Sequence, residues 1–261
     1  MIYFMMIFEL IKKCIINNTD LSNRMSSGII IGSGFLAKNF KQHDNLFKKL
    51  NIHVYAAGVA SSLCKNKDLF EIDKNRLVDF SKQMDKKNKI LYFSTCSIDD
   101  SSRNNNEYIK NKLILENYIK SNFEKYLIIR LPEIVGHTKN DNTLIKFFYN
   151  KIKNKQTFNL WSKASRSVID IDDVTKILVD LLARKKLDKS VINIANPLKY
   201  SAIQIVNTFE QLISTKAKYN LIDQGKLNWR IDVSQILDSI KNCKIDFNNS
   251  YLKNVLKKYF T

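Results

Sequence analysis

Glycine and proline are scarce in this chain, six and two among 261 residues. They are the strongest local punctuators, so their scarcity excludes a loop-rich chain and predicts long helices with few breaks. Cysteine is nearly as sparse. Cys14, Cys64, Cys96 and Cys243 form no CxxC pair and show no metal-ligand spacing, and only three histidines accompany them. That pattern argues against a structural zinc site or a disulfide framework and points to a reduced, cytoplasmic setting. Long apolar runs are missing too. "MIYFMMIF" at the start is too short to span a bilayer and is ended by Glu9. It has neither a positive n-region nor a small-residue cleavage site, so it does not read as a signal peptide. There is no long Lys/Arg block, no internal repeat and no low-complexity linker.

What the chain does have is 44% hydrophobic residues, enough for a sizeable core, and a net charge of +18. The length suits one large domain, or one domain with a small lobe. The charge reads either as a footprint for a polyanion or as the general abundance of lysine; it is spread along the chain, with no RNA-binding signature. A nucleotide-diphosphate ligand fits both readings.

Short apolar runs alternate with helical periodicity. "GIIIG" is the first strand, with a helix from about Phe35, and "IHVYAAG" is the second. "KILYFST", "YLIIRLP", "SVIDI" and "VINIANP" follow as strands. Between them "KDLFEIDKNRLVDFSKQM", "NEYIKNKLILENYIKSN", "NTLIKFFYNKIKN" and "DDVTKILVDLLARK" carry helical spacing, with helical pieces beyond. Strands joined by helical crossovers are parallel, and short, wholly apolar ones are covered on both faces. The expectation is an α/β fold over residues 25–261, with a C-terminal lobe drawn from 137–167 and 196–261. Met25 lies three residues before Gly28. Residues 1–24 therefore read either as an upstream extension of the reading frame or as a strand and helix feeding the first strand.

Three features carry chemistry. Gly32, Gly34 and Ala37 make G-x-G-x-x-A between a strand and a helix. The first glycine permits a tight turn, the second lets backbone approach a pyrophosphate, and the small third residue lets helix and strand pack closely. An ordinary tight turn is the plainer reading. "LYFSTCS" ends a strand in hydroxyls, Ser94 and Thr95, at the edge where parallel sheets bind ligands; a strand-end cap would look the same. Tyr108 and Lys112 stand four apart on a helix, where an ammonium favours the phenolate and suits tyrosine to proton transfer. Tyr149 and Lys153 share that spacing, but only Tyr108 follows the Ser/Thr strand end through one loop.

The order GxGxxA, "YAAGVASS", "FSTCS", YxxxK, "IIRLPEIVG" and "RSVIDIDDV" resembles the extended short-chain dehydrogenase/reductases, most closely the nucleotide-sugar epimerase, dehydratase and reductase branch. The resemblance covers about Gly28 to Pro197. It implies a Rossmann-like parallel sheet with helices on both faces and a small substrate lobe. It also implies a nicotinamide cofactor, NADP or NAD, at Gly32, Gly34, Phe35, Leu36, Ala57, Gly58 and Lys112. Tyr108 would exchange a proton with a sugar oxygen, Lys112 would hold the nicotinamide ribose, and Thr95 would hydrogen-bond the same sugar oxygen. Ser94, Glu133 and Arg166 would meet the substrate, a nucleotide-diphosphate sugar. Arg166 reads equally as an ion-pair partner of Asp170, Asp172 and Asp173. No metal, specific nucleic acid or membrane span is implied, and a homodimer is left open.

Two departures from the family pattern stand out. Only 24 positions separate Gly32 from Ala56, room for little more than one helix and the next strand, so the sheet should be shortened in its first half. The acidic residue that binds the adenosine ribose has no evident counterpart; Asp44 is too close in sequence. Second, Cys96 and Ser97 follow Thr95 where 4,6-dehydratases of the family carry Asp-Glu, which disfavours dehydration. The expectation is a ketoreductase, or an epimerase, on a nucleotide-linked sugar, with a product destined for a surface polysaccharide by analogy. The alternative is a non-catalytic descendant that binds a nucleotide or a partner, marked by a filled cleft or a Tyr108 phenol turned into the core.

Overall fold

A computed structural model describes residues 28–59, 61–62, 64–85, 87–100, 106–225 and 230–261; residues 1–24 and Cys14 lie outside them. Strand β1 (Ile30–Ile31) leads into helix α1 (Phe35–Phe40), a 3-10 turn (Lys41–His43) and α2 (Asp44–Lys49). Then come β2 (Ile52–Tyr55), α3 (Lys67–Gln83), β3 (Lys89–Thr95), α4 (Glu107–Asn122) and β4 (Tyr126–Leu131). A longer excursion follows through β5 (Glu133–Val135), α5 (Leu144–Lys153), β6 (Thr157–Trp161), β7 (Ser165–Arg166), β8 (Val168–Asp170) and α6 (Ile171–Arg184). The chain returns in β9 (Ser190–Asn193) and closes with β10 (Tyr200–Ser201), α7 (Ala202–Ile213), β11 (Lys218–Ile222), α8 (Leu237–Asn242) and α9 (Tyr251–Phe260).

Five strands make one wholly parallel sheet in the order β1-β2-β3-β4-β9, the expected α/β architecture. Alternation along β3 builds a core on each face. Leu91 and Phe93 join Phe40 and Phe47 from the α1–α2 layer and Ile177, Leu178 and Leu181 from α6. Ile90 and Tyr92 point the other way, onto Leu77 and Phe80 of α3 and Leu115 and Ile119 of α4. A separate core joins α5, β6, α7 and α9, with Phe148, Leu160, Phe209 and Leu256 among its buried members.

Three details differ from the sequence reading. "TFNLW" and "KYNLI", assigned to no strand, form the parallel pair β6–β11. "RSVIDI" divides into β7 and β8, and β7 pairs antiparallel with β10, so not every strand is parallel. The first strand is two residues long, although Val54 N–H also bonds the Ile29 carbonyl. No helix among the described residues is long and apolar enough to cross a membrane.

Polar side chains do the punctuation that glycine and proline do elsewhere. Asn66 caps α3, Asn106 caps α4, Thr143 caps α5 and Asp170 caps α6, each accepting from a backbone N–H of the first turn. Ser201 and Gln204 form a reciprocal capping box on α7. Beside Gly32 and Gly225, five left-handed positions among the described residues are filled without glycine, by Asn51, Lys155, Lys189, Ser214 and Lys244. After α5, Lys155 N–H bonds the Ile152 carbonyl and Gln156 N–H the Lys151 carbonyl, a Schellman end; Lys244 and Ile245 repeat it after α8. A Cβ is strained in that conformation. Lys155→Gly and Lys244→Gly should each stabilise the protein by about 0.5–1 kcal/mol, the relief exceeding the entropy gained by the unfolded chain. Urea unfolding measures this, with Lys→Ala at the same positions expected to give no such gain.

Candidate active site

Parallel strands put all their carboxyl ends on one edge, and that edge gathers most of the expected residues. Gly32 and Gly34 follow β1, Ala57 and Gly58 follow β2, Ser94 and Thr95 end β3, and Glu133 stands two positions past β4. Gly32 is demanded by the sheet itself. Its φ is +122°, and a Cβ there would lie 2.4 Å from the Ala56 carbonyl oxygen. Gly34 is different: a Cβ there would meet nothing within 4 Å, and no side chain caps α1. Ala37 is buried, as close packing of helix on strand requires. Phe35 and Leu36 pack onto the core shared with α6, with Phe35 against Gly136. Asp44 opens α2 and pairs with Lys48 at 2.5 Å.

Helix α4 supplies a row of buried titratable groups. Tyr108, Lys112 and Glu116 succeed one another at four-residue spacing, and all three are buried. The Lys112 ammonium donates to the Tyr92 phenol and to the Phe93 carbonyl, both at 3.2 Å, and lies over the Tyr108 ring at 5.6 Å from its centroid. A Cβ on Gly58 would come within 3.2 Å of that nitrogen and 3.3 Å of an Asp73 oxygen. Asp73, on α3 and 1% exposed, accepts from Val59 N–H through Oδ2 at 3.1 Å, while its Oδ1 has no hydrogen-bond partner among the described residues. Burial lowers the Lys112 pKa, with the charges of Asp73 and Glu116 opposing that shift. Burial and the Asp73 charge push the phenols of Tyr92 and Tyr55 upward, so both stay protonated. Tyr108 is 9% exposed, its ring against Phe70 and Ile109.

The hydroxyls at the end of β3 divide their roles. Thr95 Oγ1 accepts from Ser97 N–H at 3.1 Å, capping a 3-10 turn at Cys96–Asp99. Ser94 lies near enough to Glu116 to help lower its pKa, yet its hydroxyl completes no well-shaped hydrogen bond. Cys96 is fully buried, its thiol 3.9 Å from Asn193 Oδ1 and pushed up in pKa by burial and by Asp99. A protonated, enclosed thiol cannot stand in for the acid/base carboxylates of a dehydratase. Glu133 is half-buried, its N–H on the Ser167 carbonyl. Arg166 sits on the separate β7–β10 ladder and donates to the Ser165 carbonyl at 2.7 Å. The nearby aspartates bind α9: Lys258 reaches Asp170 and Asp172 at 2.8 and 2.6 Å, and the Tyr251 hydroxyl donates to Asp173 at 2.7 Å.

The sequence reading missed two groups. One is Asp73, whose only signal is a carboxylate four residues before Leu77 on the core side of α3. The other is the pair behind Lys112. Arg130 grips Glu116 with Nε on Oε1 and Nη2 on Oε2, both at 2.9 Å, while Lys120 stands 3.3 Å away. Tyr149 and Lys153 also meet, at 3.3 Å, but on the outside of α5.

A model of the NAD dependent epimerase/dehydratase family matches residues 39–195. No curated protein matches the chain. Among solved structures, the UDP-glucuronic acid 4-epimerase from Bacillus cereus, in complex with UDP-glucuronic acid and NAD, superposes with a TM-score of 0.65 at 15% identity, covering 92% of this chain and 93% of that one. RMD from Pseudomonas aeruginosa, complexed with NADPH, gives 0.66 at 13% identity over 89% and 97%. The UDP-N-acetylglucosamine 4-epimerase from Methanobrevibacter ruminantium M1, in complex with UDP-N-acetylmuramic acid, gives 0.62 at 17% identity over 80% and 75%. At these identities the likeness is one of fold.

Glu116 makes the site acid-sensitive. Burial alone would raise its pKa, but the hydrogen bonds from Arg130, the nearby Ser94 hydroxyl and the charges of Arg130 and Lys120 hold it below the ordinary 4.5. A carboxyl depressed in the folded state contributes stability above its unfolded pKa and loses it as pH falls through the folded one. Glu116→Gln leaves the half-buried Arg130 guanidinium with only the longer Asp99 contact at 3.4 Å and should cost on the order of 2 kcal/mol at neutral pH. Melting temperatures should then converge below pH 4.5, the wild type falling more steeply than the variant.

Proposed function

The chain belongs to the NAD dependent epimerase/dehydratase family, and we propose that it is an enzyme that uses a nicotinamide cofactor to act on a nucleotide-linked sugar. Reduction of a keto group on the sugar is the first choice of reaction and epimerisation the second. A UDP-linked sugar is the substrate class to begin with, as in the complexes of its structural neighbours, and a surface polysaccharide is the destination proposed for the product by analogy.

One observation carries this reading: Lys112 is buried beside Gly58 at the carboxyl edge of the sheet, with Tyr108 one turn before it and the unpartnered Asp73 Oδ1 opposite. A buried carboxylate oxygen with no donor is a costly arrangement in isolation and suits a hydroxyl-bearing ligand. Lys112 and Asp73 would hold the nicotinamide ribose, with Ala57 and Gly58 beneath the ring; Gly34 leaves room for backbone to approach a phosphate. When bound, the cofactor supplies or accepts a hydride. The protein's own part is orientation and the proton. Tyr108 would pass its phenolic proton to the oxygen formed on the sugar, Lys112 would hold the phenol's charge in check, and Thr95 would donate to the same oxygen. Ser94, Glu133 and Arg166 would contact the substrate. The state of Cys96 supports reduction or epimerisation over dehydration, since Cys96 and Ser97, not a pair of carboxylates, follow Thr95.

The burial of Tyr108 favours a second reading, a non-catalytic protein that keeps the nucleotide site. One variant separates them. Tyr108→Phe removes only the phenol oxygen, and in an enzyme loss of the proton donor should lower turnover roughly a hundredfold or more. The assay follows consumption of reduced nicotinamide cofactor with UDP-linked keto sugars. Turnover unchanged in the variant removes Tyr108 from the mechanism, and no turnover by the wild type with any such sugar favours the binding protein.

A further inference from the structure

Folds that hold a dinucleotide across an open parallel sheet use two βαβαβ halves, one for each mononucleotide, and the ligand spans the crevice where the strand order reverses. The main sheet of this chain runs β1-β2-β3-β4-β9 with no reversal among the described residues. The reason lies in residues 32–51. They form a single helical layer, α1, a 3-10 turn and α2, that returns the chain to the strand hydrogen-bonded directly to β1. The layer is fixed on the sheet. Phe40 and Phe47 are fully buried, and the Phe40 ring stacks on Phe93 with centroids 5.1 Å apart. No strand from this segment extends the sheet beyond β1.

The group that reads the adenosine ribose is displaced with it. In a two-half fold the acidic residue on that ribose comes about 20 residues after the glycine turn. At that distance from Gly32 this chain is at Ile52 and His53, buried at 2% and 0% inside β2, with β1 on one side and β3 on the other. Asp44, the acidic residue between them, is paired with Lys48. The nicotinamide end is furnished in contrast: the Lys112 ammonium, the free Asp73 Oδ1 and the open approach at Gly58 lie together at the end of β2.

We infer that cofactor recognition is confined to the nicotinamide mononucleotide half, and that the adenosine half contributes little to binding. The inference rests on the nicotinamide reading above. It means that the chain does not discriminate NADH from NADPH, because the 2′ position that distinguishes them lies on the part that is not held.

The test is a titration of the full chain with three ligands, reduced nicotinamide mononucleotide, NADH and NADPH, followed by protein fluorescence and thermal shift. The three dissociation constants should agree within about tenfold, the equivalent of roughly 1.4 kcal/mol. AMP, the adenosine half alone, should fail to displace the mononucleotide, and Lys112→Met should weaken all three ligands by the same factor. A preference of more than tenfold for either dinucleotide, or displacement by AMP, overturns the inference while leaving the nicotinamide reading intact. Failure of all three ligands to bind overturns that reading, and the inference with it.

Discussion

A parallel strand can be reached only by a crossover, and the shortness of the first crossover governs this molecule. Twenty residues, 32–51, carry the chain from the end of β1 to the start of β2, so β2 must lie directly beside β1. Gly32 takes a positive φ because the Ala56 carbonyl stands where its side chain would be. The helical layer above drives Phe40 and Phe47 into the face that α6 also covers. From that pairing the later strands add outward in chain order, and every carboxyl end falls on the same edge. The position of the candidate site is thus a consequence of connection length before any of its side chains is considered.

Helix α4 meets two opposing requirements. It must pack on the sheet, and Leu115 and Ile119 do so with no exposed surface. It must also bring charge to the same face, and charge inside a protein is tolerated only with partners. Glu116 is held by Arg130 from β4, in register opposite Ser94, and Lys112 by a phenol and a carbonyl of β3. Neighbouring strands therefore fix the helix by polar contacts as well as apolar ones. Among the buried polar atoms left unmatched in the described residues, beside Asn111 Nδ2 of α4 itself, is Asp73 Oδ1 near the carboxyl edge of the sheet.

Much of the main sheet was legible because its strands are short apolar runs between amphipathic helices, and the boundaries of β3, α3 and α4 follow from that contrast. The lobe was harder. β6 does alternate, with Phe158 and Leu160 inward and Thr157, Asn159 and Trp161 outward, but one five-residue run between turns is easily passed over. β11 buries almost nothing along its length; it is a strand because its backbone pairs with β6, and side-chain periodicity cannot report that. The antiparallel β7–β10 contact is of the same kind, two residues long and made between segments far apart in sequence. In the candidate site, the approach of Lys112 to Tyr108 was legible from spacing. Asp73, Glu116 and Arg130 were not, because each becomes meaningful only through a partner on another element.

The two Tyr-x-x-x-Lys matches show how little the spacing decides. Both are formed: Lys153 reaches the Tyr149 hydroxyl on α5, and Lys112 stands over the Tyr108 ring on α4. Helix geometry alone guarantees that much. The difference is dielectric and neighbourhood. Lys153 is exposed and meets the Tyr149 hydroxyl at the surface, although the Tyr149 ring packs on Phe209 and Phe260, so the interaction is weak and screened. Lys112 is 4% exposed, so its charge acts through protein rather than solvent on the phenols of Tyr108 and Tyr92 and on whatever enters beside Gly58. A tyrosine and a lysine four residues apart become chemically consequential only where the fold has removed the water and supplied an edge for a ligand, and in this chain the carboxyl end of the parallel sheet does both at α4 and neither at α5.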